Sequence, residues 1–217
     1  MMRVVVAAMI AGLLAACAGV ALETPARALL DRMTQATVGI HSRAGRGGGV
    51  LVGRRMVLTA GHVVGSSITT VVVTFEDGSM SPGERVFFSK NPDVALIRLD
   101  RDAPFPPAAV ACGALDLDAP IIVVAHPGLM RWFVNHGRVA STHPAFGASV
   151  SQIALAVPVV FGSSGGPVFD RRGRIRGLIR AGLTRRGIPT PGFTMAVPST
   201  AFCRLPKISA EIASVPS

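Results

Sequence analysis

From about Thr34 to Pro198 the chain is a succession of short apolar runs cut by glycine and proline, and this punctuation limits the fold more than any other feature. Runs of four to eight residues bounded in this way suit strands, and they are too short for ordinary helices. Six candidates come first: "ATVGIHS", "GGGVLVG", "RRMVLTA", "TTVVVTFE", "ERVFFS" and "VALIRL". A stretch with four prolines and little periodicity follows, "DRDAPFPPAAVACGALDLDAP", which reads as a connector over 101–119. Six more candidates begin at Pro120: "PIIVVAH", "FVNHGRVAS", "SQIALAV", "GPVFD", "RIRGLIRAG" and "GFTMAVP". Strand counting therefore predicts an all-β chain with two similar units, 34–100 and 120–198. The tail, 199–217, has room for one short helix in "STAFCRL".

The apolar fraction of 49% and charged fraction of 16% belong to a chain that can bury a core. The formal charge is +10, almost all from arginine, with lysine only at Lys90 and Lys207. A nucleic-acid partner is not expected. There is one tryptophan and no tyrosine, and no aromatic residues are interleaved with a basic helix. Arg171, Arg172, Arg174, Arg176, Arg185 and Arg186 surround hairpin positions and read as a solvated basic face, with attraction to an anionic envelope surface as the second reading.

The first 22 residues are read as a targeting segment. Arg3 precedes an apolar run from Val4 to Leu22, as in a secretory signal. Within it "LAAC", Leu14 to Cys17, resembles the bacterial lipobox, which implies lipidation at Cys17. Cleavage at Ala16-Cys17-Ala18 by an ordinary signal peptidase, or retention of the run as an anchor, are the alternatives. Each places the rest of the chain outside the cytoplasm, in or on a bacterial cell envelope. With Cys17 lipidated, Cys112 and Cys203 remain as a candidate disulfide; two buried thiols are the alternative.

Three residues carry the chemistry of acyl transfer. "LTAGHVV" sets His62 just after a strand, "NPDVALIRLD" sets Asp93 at the start of an apolar strand, and "FGSSGGPVF" offers Ser164 among glycines. Serine needs a base to take its proton, histidine titrates near neutrality, and a buried carboxylate fixes the imidazole tautomer. Gly162 and Ser164 can aim backbone N–H groups at a developing oxyanion. His41, His126, His136 and His143 are scattered without CxxC or HExxH neighbours, so no metal or cofactor is expected, and they read as turn or surface residues.

The order His–Asp–Ser, with TAGH at His62, D-x-A-L at Asp93 and G-x-S-G-G-P at Ser164, resembles the trypsin-like (chymotrypsin-fold) serine proteases. Gaps of 31 and 71 residues suit compact bacterial members such as the protease domain of HtrA-type enzymes. The resemblance covers about 34–198. It implies two six-stranded antiparallel β-barrels with the active site in the cleft between them, and Ser164 rather than Ser163 as nucleophile. Where digestive members carry an aspartate that pairs with a new N-terminus, this chain has Ser163, so activation of that type is not expected. Nor is regulation of the HtrA kind, through a PDZ domain after the second barrel, expected.

The family's specificity pocket maps onto Pro158 and Val159, the strand segment Arg180, Ala181 and Gly182, and Phe193. None is acidic, so cleavage after lysine or arginine should be poor and a small or medium apolar side chain preferred. Arg180, if it entered the pocket, would instead favour an acidic one. The resemblance implies a serine endopeptidase acting on proteins or peptides, tethered to a membrane if Cys17 is lipidated. A catalytically silent, protease-like binding lipoprotein of the envelope is the alternative function.

Overall fold

The computed structural model describes residues 25–43, 45–126, 132–143, 152–185 and 188–213. The targeting segment 1–22 with Cys17, and Arg186, lie outside the described residues.

The twelve strands form two closed, six-stranded antiparallel barrels. The first contains β1 (Thr37–Ser42), β2 (Gly45–Gly53), β3 (Met56–Thr59), β4 (Thr70–Thr74), β5 (Met80–Ser89) and β6 (Val94–Leu99), in the spatial order β1-β2-β3-β6-β5-β4. The second contains β7 (Pro120–Ala125), β8 (Phe133–Ser141), β9 (Ile153–Ala156), β10 (Pro167–Phe169), β11 (Ile175–Arg185) and β12 (Ile188–Pro198), in the order β10-β11-β12-β9-β8-β7. Closure pairs each of these strands with a neighbour on both sides.

Side-chain alternation explains why several strands read as unbroken apolar runs. Leu51, Ala95, Ile97, Val123, Val168 and Ile179 point into the barrel interiors. Their neighbours Val50, Val52, Leu96, Val124, Phe169 and Leu178 point the other way, into a third cluster shared by the two barrels. Strands buried on both faces lose the apolar–polar alternation that a half-buried strand shows.

The barrels are flanked by helices. A helix not foreseen in the sequence, α1 (Pro25–Ala36), starts on proline, which suits a first helical position. It lays Leu29, Leu30 and Met33 on the shared cluster. Thr34 lies in this helix and donates to the Leu30 carbonyl, so the barrel itself begins at Thr37. The one-turn α2 (Gly61–Val64) follows β3. The tail forms two helices rather than one, α3 (Ser199–Phe202) and α4 (Pro206–Ala213), with Phe202 and Ile208 buried in the shared cluster. Cys112 of the connector is disulfide-bonded to Cys203, with Cα atoms 5.9 Å apart.

Candidate active site

The pairing of β3 with β6 runs Met56↔Arg98 to Thr59↔Ala95, so Asp93, just before β6, falls beside the start of α2. Gly61 makes this approach possible: a Cβ there would lie 2.9 Å from Asp93 Oδ1 and from the Ser89 carbonyl. Asp93 then holds His62 twice. Its Oδ1 accepts the His62 backbone N–H at 2.8 Å, and its Oδ2 lies 2.6 Å from the ring Nδ1. The His62 side chain is 46% exposed and that of Asp93 only 9%. Burial pushes the Asp93 carboxyl upward, but the hydrogen bonds and charge of His62, with the Arg180 guanidinium, outweigh it and hold the pKa below the ordinary value. The carboxylate is therefore ionised at neutral pH, and it fixes the proton of the imidazole on Nδ1, leaving Nε2 free to act as a base.

The loop between β9 and β10 separates the two serines. Ser163 is turned inward and buried, while Ser164 is half-buried at the surface. Gly162 and Gly165 adopt φ values of 91° and 83°, a region that glycine enters without strain. The Ser163 N–H donates to the Val160 carbonyl, and the Gly165 and Gly166 N–H groups donate to Ile179 and Ser163. Among the described residues the N–H groups of Gly162 and Ser164 have no such acceptor, as an oxyanion hole requires.

This loop is docked on the first barrel. The Gly48 N–H donates to the Ser164 carbonyl at 2.7 Å. A Cβ on Gly47 would lie 2.7 Å from the Ser164 carbonyl oxygen, and one on Gly48 would lie 3.0 Å from Gly166 N. Gly165 faces the Gly48 carbonyl and the Thr59 hydroxyl so closely that a side chain there would strike both. Thr59 in turn donates to the Gly48 carbonyl at 2.7 Å. The glycine run of β2 and the glycines after Ser164 thus let two backbones from different barrels touch. Sequence reading gave Gly47–Gly49 no role beyond a strand, although glycine inside a strand is a known signal of close backbone approach.

Arg180 meets the site at two atoms. Its carbonyl accepts the Ser164 hydroxyl at 3.0 Å, so the serine proton is directed there rather than to His62. Its Nε lies 3.4 Å from Asp93 Oδ2, the oxygen that His62 also uses. A bulge in the β11–β12 register falls between Ile179 and Ala181, which interrupts simple alternation at this point.

The remaining expected pocket residues lie on three adjacent segments. β12 pairs with β9 through Phe193↔Ala156 and with β11 through Met195↔Ala181 and Thr194↔Gly182. Pro158 is exposed, and its carbonyl accepts Asn135 Nδ2 at 3.0 Å. Thr194, buried and not singled out in the sequence, donates to the Val157 carbonyl at 2.6 Å and ties β12 to the segment leading to Ser164. Val159 packs against the second barrel's core. Phe193 and Val160 are exposed apolar residues, and Phe161, beside Gly162, is 97% exposed. Of the other histidines, His136 and His143 are exposed; the His126 ring packs against Trp132 at 4.6 Å and lies over Gly39 of β1, which joins the barrels.

A profile of the trypsin-like peptidase domain matches residues 47–178. The fold superposes on a serine endoprotease from Yersinia pestis with a TM-score of 0.71 at 18% identity, covering 88% of this chain and 68% of that one. A serine-to-alanine mutant of Rv3671c from M. tuberculosis H37Rv, in its inactive form, gives 0.66 at 21% identity, covering 92% and 98%. The HtrA-type protease AlgW, solved with a tripeptide, gives 0.71 at 19% identity, covering 85% and 64%. No curated protein matches the sequence. At these identities the structural likeness, HtrA protease domains included, is one of fold; the domain match extends over more than half of the chain, and with it the chain belongs to the trypsin-like peptidase family.

Proposed function

We propose that the protein is an extracytoplasmic serine endopeptidase in which Ser164 attacks the scissile carbonyl, His62 takes its proton and Asp93 orients His62. The Asp93 carboxylate gripping both the ring and the backbone of His62 carries this reading. The Ser164 hydroxyl leaves the Arg180 carbonyl and turns its proton to His62 Nε2 as substrate enters. The tetrahedral oxyanion is received by the Gly162 and Ser164 amides, His62 then protonates the leaving amine, and water repeats the sequence on the acyl-enzyme. The disulfide supports an oxidising compartment. In the pocket segments, Val159, Val160 and Phe193 favour an apolar side chain before the cut. Arg180 adds a positive charge at Asp93, unfavourable for a lysine or arginine nearby. A peptide library should give cuts mainly after small or medium apolar residues; dominant cuts after lysine or arginine would refute this preference.

The resting bond of Ser164 to Arg180 favours a second reading, a binding protein without turnover. A fluorophosphonate probe separates the two. Wild type and Ser163→Ala should label at neutral pH while Ser164→Ala does not; a folded wild type that stays unlabelled supports the binding protein.

A further inference from the structure

Helix α1 and the β10–β11 hairpin meet on one face. Gly173 turns the hairpin at φ 74°, and a Cβ there would lie 2.8 Å from Leu29 Cδ1, so the hairpin tip is pressed against the helix. The cleft between them encloses about 250 Å³. Leu29, Met33, Pro106 and Pro107 give it an apolar floor, and Arg32 and Arg172 a cationic rim. Arg171, next on the hairpin, borders two further clefts of about 330 and 350 Å³.

The acidic groups nearby are largely engaged. Asp170 accepts the backbone N–H groups of Arg172 and Arg174 and pairs with the Arg174 guanidinium at 2.8 Å. Asp118 pairs with Arg138, and Asp31 with Arg27; Asp116 is exposed on the rim of the 350 Å³ cleft. Arg32, Arg171 and Arg172 are exposed, and their side chains have no ion-pair or hydrogen-bond partner among the described residues. Two unpaired cations on the rim of an apolar cleft, with a third next along the hairpin, match the form of an anionic phospholipid, with phosphate at the rim and acyl carbon on the floor.

Chain geometry points the same way. The apolar run Val4–Leu22 ends just before α1 begins at Pro25. An extended chain covers at most about 3.5 Å per residue, so an anchor at Cys17 would hold the start of α1 within about 30 Å of a bilayer. We propose that the face made by α1 and the β10–β11 hairpin docks on an anionic phospholipid bilayer, with Arg32, Arg171 and Arg172 at the headgroups. Peptide hydrolysis requires no such surface, so the inference is independent of the triad. An arginine near an anionic leaflet adds roughly fivefold in affinity, and three together about a hundredfold.

The test uses the full chain with Leu13→Asp and Leu14→Asp, which interrupt the apolar run and remove its own insertion. It should float with vesicles of phosphatidylglycerol in phosphatidylcholine, less so as salt rises, and not with phosphatidylcholine alone. Adding Arg32→Gln, Arg171→Gln and Arg172→Gln should lower vesicle affinity about a hundredfold. Arg54→Gln and Arg98→Gln on the first barrel with Arg101→Gln just after it, the same change in net charge, should lower it by less than about fivefold. Equal losses in the two sets, or equal binding to uncharged vesicles, would overturn the proposal. Hydrolysis of a soluble peptide should be unchanged by the hairpin substitutions, which reports intact folding. If even the parent chain cleaves nothing, the peptidase reading fails while the vesicle result still stands or falls by itself.

Discussion

Asp93 is the residue on which most of the site depends, because one carboxylate serves the His62 amide, the His62 ring and the Arg180 guanidinium. Asparagine would keep the shape and the bond to the backbone N–H. Its NH2 group would then face Nδ1, forcing the imidazole proton onto Nε2, the atom that must act as base. Asp93→Asn should lower kcat by about four orders of magnitude with little change in KM; near-normal turnover would mean that another carboxylate orients the base. The pH dependence follows from the depressed pKa. Asp93 keeps its charge above the ordinary carboxylate range, about 4, and loses it only as pH falls through the lower folded value. Above about pH 5 protonation of Asp93 should therefore add nothing to the pH dependence of kcat/KM; a limiting slope of two in log kcat/KM above that pH would show Asp93 titrating there. The meeting of His62 with Asp93 was legible in the sequence because each sits in a short motif with its own chemistry. The place of Arg180 was not, since a bulge at Ile179/Ala181 resets which way the side chain points.

Elements make the site by touching across the barrels. β2 offers a side-chain-free strip, and the loop after Ser164 lies on it through the Gly48 N–H bond to the Ser164 carbonyl. Gly165 is the least replaceable residue of that contact, with a positive φ and a neighbouring carbonyl and hydroxyl where a Cβ would go. Gly165→Ala should destabilise the protein by about 2–4 kcal/mol, combining backbone strain with the displaced contact, and should abolish labelling of Ser164. Chemical denaturation and the probe read the two effects separately; a stable, fully labelled variant would show that the loop does not need this seat. Strand number was readable from the apolar runs, since glycine and proline mark every break. The helix α1 was not, because its apolar residues Leu29, Leu30 and Met33 are few and their partners, Val50 and Phe169 among others, are distant in sequence.

At the scale of the whole molecule, the connector is the part with least structure of its own, and it is fixed from both sides. Ile175 exchanges backbone hydrogen bonds with Ala109 and Ala111 at the beginning of β11. The Ser199 hydroxyl donates to the Ala111 carbonyl at 2.7 Å, and Cys112 is bonded to Cys203 just after α3. The bridge joins residues 91 apart, so in the unfolded chain it closes a loop spanning the entire second barrel. Constraining so long a loop lowers the entropy of the unfolded state, which is worth about 4–5 kcal/mol in the chain-entropy account and commonly 2–5 when a native bridge is removed. The bridge lies by the Ile175 end of β11, whereas Arg180, which contacts Ser164 and Asp93, lies further along that strand, so the candidate site does not rest on the bridge. Replacing both cysteines, Cys112→Ser with Cys203→Ser, should therefore lower unfolding free energy by about 2–5 kcal/mol while leaving kcat/KM of the folded fraction within about twofold. Reductant should lower the wild-type Tm and leave that of the double variant unchanged. Free, alkylatable thiols at both positions in the oxidised wild type would contradict the bridge, and a loss of activity as large as the loss of stability would mean that the connector reaches the active site after all.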